Sequence, residues 1–407
     1  MRILLSGASI SGSVLAFWLS RYGFDVTVVE RAPQLRKAGG HAVDLFRPSM
    51  EISAKMGVLS KIEALATGTE ILTWYREGAR RPVRVNLAKI FGATSDQHVE
   101  IMRDDLSEIY YEASRHDTEY LFGDSITAIS PDGRVSFEQA APRCFDIVVG
   151  ADGLHSNVRR LVFGEDAGHT QFLGGYLAVV SVPKGLAHDG EMVGHVGPGR
   201  MAAFYTAAPL DDAHLLFLFR TQEELRYHYR DVLRQKELLR EAIAGIHPQV
   251  DLWLEELDRT PAFYFDSITQ LQLDTWSRGR VTGRVTLVGD AGYCPGPAVG
   301  GSTSLSVLGA CILAGEPAQA GGDYARAFAA YEREMADPVS RSHTFASGVA
   351  VSLIPRSKAG VWALTHGAQL VSMLPGGLTK AVAKLNTKGV RLYDSMRFKE
   401  YAPPRPG

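Results

Sequence analysis

The first 31 residues constrain the fold of this chain more than any other stretch. Ile3–Leu5 is a short apolar run that predicts a buried parallel strand. A turn of small residues follows, and Val14–Leu19 carries apolar side chains at helical spacing. Val26–Val29 predicts a second strand, which ends at Glu30. The order strand, helix, strand predicts a βαβ unit that opens an α/β domain.

The turn between the first strand and the helix has the spacing of a dinucleotide-binding fingerprint, Gly7-x-Ser9-x-x-Gly12. Gly7 allows the tight turn, Gly12 allows close helix packing, and the helix N-terminus favours a pyrophosphate. Glu30 follows at a distance that suits ribose hydroxyls, whereas Ser9 replaces the middle glycine. A βαβ unit without a ligand is the alternative. We predict dinucleotide contacts from Gly7, Ser9, Ile10, Ser11, Gly12, Glu30 and Arg31.

Size and composition indicate an ordinary globular protein. The 407 residues suffice for two or three domains, and the net charge of −2 gives no support for nucleic-acid or anionic-membrane partners. Cys144, Cys294 and Cys311 are far apart in the chain, as expected of free thiols in a reducing compartment. We therefore expect a cytoplasmic monomer or homodimer with no signal peptide, no membrane span and no metal.

Two later apolar strands also end in an acid beside glycines. Phe145–Gly150 leads into Asp152, and a strand that starts near Arg284 leads into Asp290. The carboxyl ends of parallel strands meet at one sheet edge, where α/β folds bind ligands. We therefore expect Glu30, Asp152 and Asp290 to serve one extended cofactor. A Pro/Gly loop after Asp290 enters a helix and provides another anion-receptive N-terminus.

The remaining patterns divide the chain further. Short strands separated by turns start near Gln171 and predict an antiparallel sheet. Residues 120–122, 125–129 and 134–137 predict a smaller antiparallel set, and a helix is expected at 222–244. A helix at 324–335 precedes further helices beyond Pro338. The chain has no Tyr-x-x-x-Lys pair, no Gly-x-Ser-x-Gly elbow, no P-loop and no metal-ligand spacing.

Three motifs in this order resemble those of class A flavoprotein monooxygenases, the single-component FAD-dependent aromatic hydroxylases. The first is the Gly7 fingerprint with Glu30. The second is Gly150-Ala-Asp152-Gly153-x-x-Ser156-x-x-Arg159, and the third is Gly289-Asp290-Ala291 followed by Pro297-x-x-Gly300. Arg103 with Leu106 is similar to the family's Arg-x-x-Leu contact near the flavin. Ser302 and Arg47 stand where many relatives have glycine.

The resemblance implies an α/β fold. A doubly wound Rossmann domain of the glutathione-reductase type would bind FAD, an inserted antiparallel sheet would hold the substrate, and helices would end the chain. We expect the FAD-binding domain at 1–70, 98–170 and 262–340. The substrate domain would comprise 71–97 and 171–261, and the C-terminal helical segment 341–407.

The resemblance also implies the chemistry. NAD(P)H would reduce FAD, and O₂ would form a flavin C4a-hydroperoxide that hydroxylates an aromatic or polyketide-like substrate, in antibiotic tailoring or in resistance like the tetracycline-inactivating relatives. A reductase or halogenase-like enzyme of the same fold and a non-catalytic FAD-containing binder remain alternatives. No catalytic side chain is assigned, and His41 and Tyr293 are possible pocket groups. Further expected FAD contacts are Arg103, Asp152, Gly153, Arg159, Gly289, Asp290, Pro297, Gly300, Gly301, Ser302 and Thr303.

Overall fold

The computed structural model describes residues 1–35, 40–92, 98–164, 169–184, 191–206, 212–228, 231–260, 262–277, 283–298, 301–374, 392–397 and 399–401. Its strands are β1 (Arg2–Ser6), β2 (Asp25–Glu30), β3 (Ala42–Leu45), β4 (Ile71–Arg76), β5 (Val83–Asn86), β6 (Val99–Met102), β7 (Glu119–Phe122), β8 (Ile126–Ile129), β9 (Arg134–Phe137), β10 (Arg143–Cys144), β11 (Ile147–Gly150), β12 (Thr170–Pro183), β13 (Glu191–Gly197), β14 (Arg200–Tyr205), β15 (Asp212–Arg220), β16 (Phe263–Leu271) and β17 (Val285–Leu287).

The helices lie between and after these strands. They are α1 (Ile10–Arg21), α2 (Arg47–Lys55), α3 (Leu59–Ala64), α4 (Leu87–Gly92), α5 (Arg103–Ser114), α6 (Asn157–Phe163), α7 (Val232–Ile243), α8 (Pro248–Glu255), α9 (Asp290–Tyr293), α10 (Ser302–Gln319), α11 (Tyr324–Leu353) and α12 (Lys358–Met373). Within the described ranges, no helix is long and apolar enough to cross a membrane.

A five-stranded sheet in the order β17-β11-β1-β2-β7 carries the predicted βαβ unit. Its strand pairs are parallel throughout, and α1 packs against both α5 and α10. The predicted antiparallel set is wrong at residues 120–122, because β7 pairs in parallel with β2. The chain reaches β7 through α5, and a strand–helix–strand connection favours parallel pairing.

A seven-stranded sheet in the order β16-β12-β15-β14-β13-β4-β5 forms the second layer. Its pairs are antiparallel except β13 with β4. Alternate side chains separate two cores: one packs against α7 and α8, and the other packs against α11 and α12. The sheet also includes β16, which lies within the range that the sequence assigned to FAD binding.

Two helical predictions, those at 324–335 and at 222–244, are corrected. Helix α11 continues through Pro338 to Leu353, and α10 continues through Pro317. Proline removes one helical hydrogen bond, but the buried faces of both helices extend across it and packing offsets the loss. Conversely, residues 222–228 form no helix, and α7 begins only at Val232, capped by Asp231.

Candidate functional site

A cleft lies at the carboxyl edge of the parallel sheet. The ends of β1, β2 and β11 and the N-termini of α1, α5 and α10 contribute its walls. The structure thus brings residues from distant parts of the chain to one site. Most residues predicted to bind a cofactor line it: Gly7, Ser9, Ile10, Ser11, Glu30, Arg31, Arg103, Asp152, Gly153, Asp290, Ser302 and Thr303.

The N-terminus of α1 opens directly onto the cleft. Ser9 is its N-cap residue, but no side chain caps the first turn. Instead, the Ser9 hydroxyl accepts a hydrogen bond from Arg103 Nη2 across the cleft at 3.3 Å. Gly7 has φ 108°, and a Cβ on Gly12 would overlap the Gly7 carbonyl oxygen, so both positions require glycine. The uncapped N–H groups suit a phosphate.

Glu30 holds the glycine loop in place. Its carboxylate accepts hydrogen bonds from the main-chain N–H groups of Ala8 and Ala32, both at 2.9 Å. A carboxylate offers about four acceptor positions, so acceptor capacity remains for ribose hydroxyls. The same side chain can therefore shape the loop and contact a ligand.

Asp152 and Arg159 are engaged inside the protein. The Asp152 carboxylate accepts hydrogen bonds from the hydroxyls of Ser6 at 3.2 Å and Ser156 at 2.5 Å, and from main-chain N–H groups at the start of α6. Burial raises the pKa of Asp152 from its ordinary value, while these donors act in the opposite direction. Arg159 is fully buried and donates to the Ala291 carbonyl at 2.9 Å. Both side chains tie α6 to the cleft walls.

The N-terminus of α10 forms the opposite end of the cleft. No side chain caps this helix either, and Ser302 in its first turn donates to Asp290 Oδ1 at 2.5 Å. The departure from glycine at Ser302 thus creates a bond to the Gly-Asp motif. Gly289 and Gly301 both adopt positive φ, at 65° and 78°. Pro297 lies in the loop after α9, whereas Gly300 lies outside the described residues.

Aromatic and imidazole side chains gather beside the cleft, where the seven-stranded sheet faces β3 and β6. The rings of His41 and Tyr264 are 5.7 Å apart, and those of Tyr205 and His214 are 5.4 Å apart. Tyr205 accepts a hydrogen bond from the Ala42 N–H at 3.4 Å, which links the two pairs. Of the possible pocket groups, His41 lies here, whereas Tyr293 is fully buried against Tyr331 and Gly309.

Both histidines of this group are neutral near pH 7. Burial lowers the pKa of His41 and of His214 to about 4, and Arg103 adds to the effect at His41. Among the described residues, neither Nδ1 atom has a hydrogen-bond partner, although both are buried. A buried polar atom without a partner costs free energy, so a ligand that bonds to it is favoured.

A polar path connects this group to the cleft. The Tyr264 hydroxyl lies 3.5 Å from Asp266 Oδ2, which lies 3.2 Å from His155 Nε2. Asp266 is buried, whereas His155 lines the cleft. Sequence reasoning did not select Tyr205, His214, Tyr264 or Asp266. The signal in the sequence that could have identified them is the alternation along β15 and β16. It places polar residues at buried positions of strands that are otherwise apolar.

Comparison with known proteins agrees with this geometry. Residues 1–314 match the family model described as FAD binding domain. A flavin-dependent monooxygenase of Legionella longbeachae is 32% identical over 371 residues, which cover 88% of this chain and 91% of the relative. The chain belongs to the FAD-dependent monooxygenase family. It is also 40% identical to the uncharacterized protein Rv1260 of Mycobacterium tuberculosis over 354 residues, 85% of this chain and 92% of that relative.

Solved structures share the fold of this chain. The tetracycline destructase Tet(51) superposes with a TM-score of 0.80 at 30% identity, over 98% of this chain and 99% of that one. Klebsiella pneumoniae HpxO, with FAD and uric acid, reaches a TM-score of 0.70 at 21% identity, over 94% and 95% of the two chains. The two uncapped helix N-termini and the acceptor at Glu30 fit the diphosphate, ribose and polar ring edge of FAD.

Proposed function

We propose that this flavoprotein uses NAD(P)H and O₂ to hydroxylate an aromatic or polycyclic small molecule. The observation that supports it best is the contact between the cleft and the group of His41, Tyr205, His214 and Tyr264: Arg103, which lines the cleft, donates its main-chain N–H to the His41 carbonyl oxygen at 3.0 Å. Bound FAD would supply hydride acceptance from NAD(P)H and reaction with O₂. The protein supplies binding, orientation and exclusion of water.

We assign the cofactor contacts from the two ends of the cleft. The N–H groups at the start of α1 would bind the pyrophosphate, and Glu30 would accept from the adenosine ribose. The start of α10, with Asp290 and Ser302, would contact the flavin end. Arg103, which lines the cleft and donates to Ser9 across it, would lie near the isoalloxazine ring.

The substrate would lie against the inner face of the seven-stranded sheet. Met192 and Leu216 give this face apolar surface, and the Nδ1 atoms of His41 and His214 offer hydrogen-bonding positions. A fused-ring compound that carries hydroxyl or enol groups matches this combination. Two of the similar solved structures are named tetracycline destructases, and this similarity supports a polyketide-like substrate.

Tyr264 and Asp266 would relay the proton that such a hydroxyl group loses. A substrate O–H near Tyr264 can pass its proton along the Tyr264 hydroxyl and the Asp266 carboxylate to His155 at the cleft. The Tyr264 hydroxyl and Asp266 return to their starting states when His155 releases the proton to water. The path would thereby favour the more electron-rich, deprotonated substrate.

The test is purification followed by an absorbance scan, with FAD reconstitution if the protein is colourless. NADH and NADPH oxidation is then measured under O₂ with a panel of phenols, anthraquinones and tetracyclines, alongside H₂O₂ release. We expect substrate-stimulated oxidation and, with ¹⁸O₂, a product that contains one labelled oxygen atom. Failure to bind FAD would refute the proposal. Flavin reduction that never yields a labelled product would favour a reductase, and bound flavin without NAD(P)H oxidation would favour a non-catalytic binder.

A further inference from the structure

The last described part of the chain lies along α10, the helix that begins at the cleft. We call residues 392–397 and 399–401 the C-terminal strap. Tyr393 meets Gly301 at the N-terminal end of α10, and Tyr401 meets Gly315 near its other end. A Cβ on either glycine would overlap the facing tyrosine ring. The absence of a side chain at each glycine therefore leaves the space that one tyrosine ring occupies.

The ring of Tyr393 is held on several sides. The side chain is 1% exposed, and its hydroxyl lies 2.6 Å from the Ser342 hydroxyl of α11. Its ring stacks on Phe46 with centroids 5.5 Å apart and an interplanar angle of 7°. Phe345 packs edge-on at 6.4 Å. A ring packed in this way has few alternative conformations. The Tyr393 ring therefore holds a fixed position against Gly301.

The contact bears directly on the cleft. Gly301 is the N-cap of α10 with φ 78°, and Ser302 and Thr303 in the following turn line the cleft. The neighbouring Asp394 accepts the main-chain N–H of Arg47 at 3.2 Å, and Phe46 donates its N–H to Ser304 Oγ at 3.0 Å. The strap thus connects the start of α2 with the start of α10.

We propose that Tyr393 is a positioning residue for the flavin end of the cofactor site, acting through Gly301. Its ring fixes the Gly301 backbone and with it the direction of the N–H groups in the first turn of α10. The strap carries this constraint from a part of the chain that does not line the cleft. The proposal rests on the proposed function, because it requires FAD in the cleft.

Three single variants separate positioning from simple stabilisation. Tyr393→Leu removes the ring at Gly301, Tyr393→Phe keeps the ring but removes the hydroxyl bond to Ser342, and Tyr401→Leu is the matched control at Gly315. FAD affinity, the visible spectrum of bound FAD, the H₂O₂ released per NAD(P)H oxidised and Tm are measured for each. We expect Tyr393→Leu to weaken FAD binding about tenfold, to shift the flavin spectrum and to raise H₂O₂ release. Tyr393→Phe and Tyr401→Leu should lower Tm while the FAD properties stay at wild-type values.

A double-variant cycle tests the route through Gly301. Gly301→Ala introduces a methyl group that meets the Tyr393 ring, so its effect on FAD affinity should shrink in the Tyr393→Leu background. Additive effects would overturn the proposal, as would wild-type FAD properties in Tyr393→Leu. If Tyr393→Leu does not fold, Tyr393→Met replaces it in the cycle, because methionine fills the same space flexibly. Loss of FAD from the wild-type protein would refute the proposed function itself, a result that these variants do not mimic.

Discussion

Replacement of Gly12 by alanine tests how tightly the cofactor loop is packed. A Cβ at this position would overlap the Gly7 carbonyl oxygen and lie 3.1 Å from the carbonyl carbon. Both neighbouring atoms belong to the main chain, so the loop itself must retreat, by about 1 Å, at a cost of about 1–3 kcal/mol. Hydrogen bonds to a charged phosphate contribute about 1.5–3 kcal/mol each. Displacement of one such donor predicts FAD binding weaker by about 10- to 100-fold.

The measurement is a titration of the apoprotein with FAD, followed by flavin fluorescence, together with the Tm of the apoprotein. Gly348→Ala and Gly367→Ala are matched controls, because nothing lies within 4 Å of the added methyl in α11 or α12. These two exposed helical positions should gain about 0.5–1 kcal/mol of stability and keep wild-type FAD affinity. Wild-type affinity and Tm in Gly12→Ala would refute the argument that the loop and α1 leave no room for a methyl group.

Two further predictions concern Glu30 and His195. Glu30→Gln places an amide N–H₂ group against one of the main-chain N–H groups of Ala8 and Ala32. Because two donors then face each other, Tm should fall and FAD affinity should drop about tenfold. An unchanged FAD affinity would contradict the assigned ribose contact. Burial lowers the pKa of His195 to about 4. The unfolded chain then binds more protons than the folded protein between pH 6.5 and 4, so His195 stabilises the fold fully above pH 6.5 and loses this effect as the pH falls. Urea unfolding should therefore show about 2 kcal/mol less stability at pH 5 than at pH 7 from this residue. The aromatic variant His195→Phe, which can keep the stack on Tyr75, should have a flatter pH dependence, and an equally steep one would argue against the buried neutral imidazole.

Much of the cofactor region could be predicted from the sequence because its signals are local. The run from β1 to Glu30 combines strand periodicity, a glycine turn and a helix within one supersecondary unit. The acids at 152 and 290 directly follow apolar strands, and parallel strands align their carboxyl ends whatever their order. Local patterns thus placed most of the predicted residues on one cleft.

Direction and partnership of strands were harder to predict. Strands such as β7 and β16 carry similar apolar alternation whether they pair in parallel or antiparallel fashion. Their sheet is decided by the connection that delivers them and by the faces left to cover. That is why β7 joins the parallel sheet and β16 joins the seven-stranded sheet.

The sequence by itself determined the βαβ unit, the three apolar strands that lead into Glu30, Asp152 and Asp290, and the glycines of the adjoining turns. Each of these features depends on residues within one short segment. Only the tertiary structure decided where the side chains of those motifs point. In the folded protein, Asp152 accepts hydrogen bonds at the start of α6, and Arg159 donates to the Ala291 carbonyl oxygen. Ser302 donates to Asp290, and the Tyr393 ring packs against Gly301. The tertiary structure also gathered His41, Tyr205 and His214 beside the cleft. Such contacts join residues far apart in the chain, and they form only because packing brings hydrogen-bond partners and ring faces together.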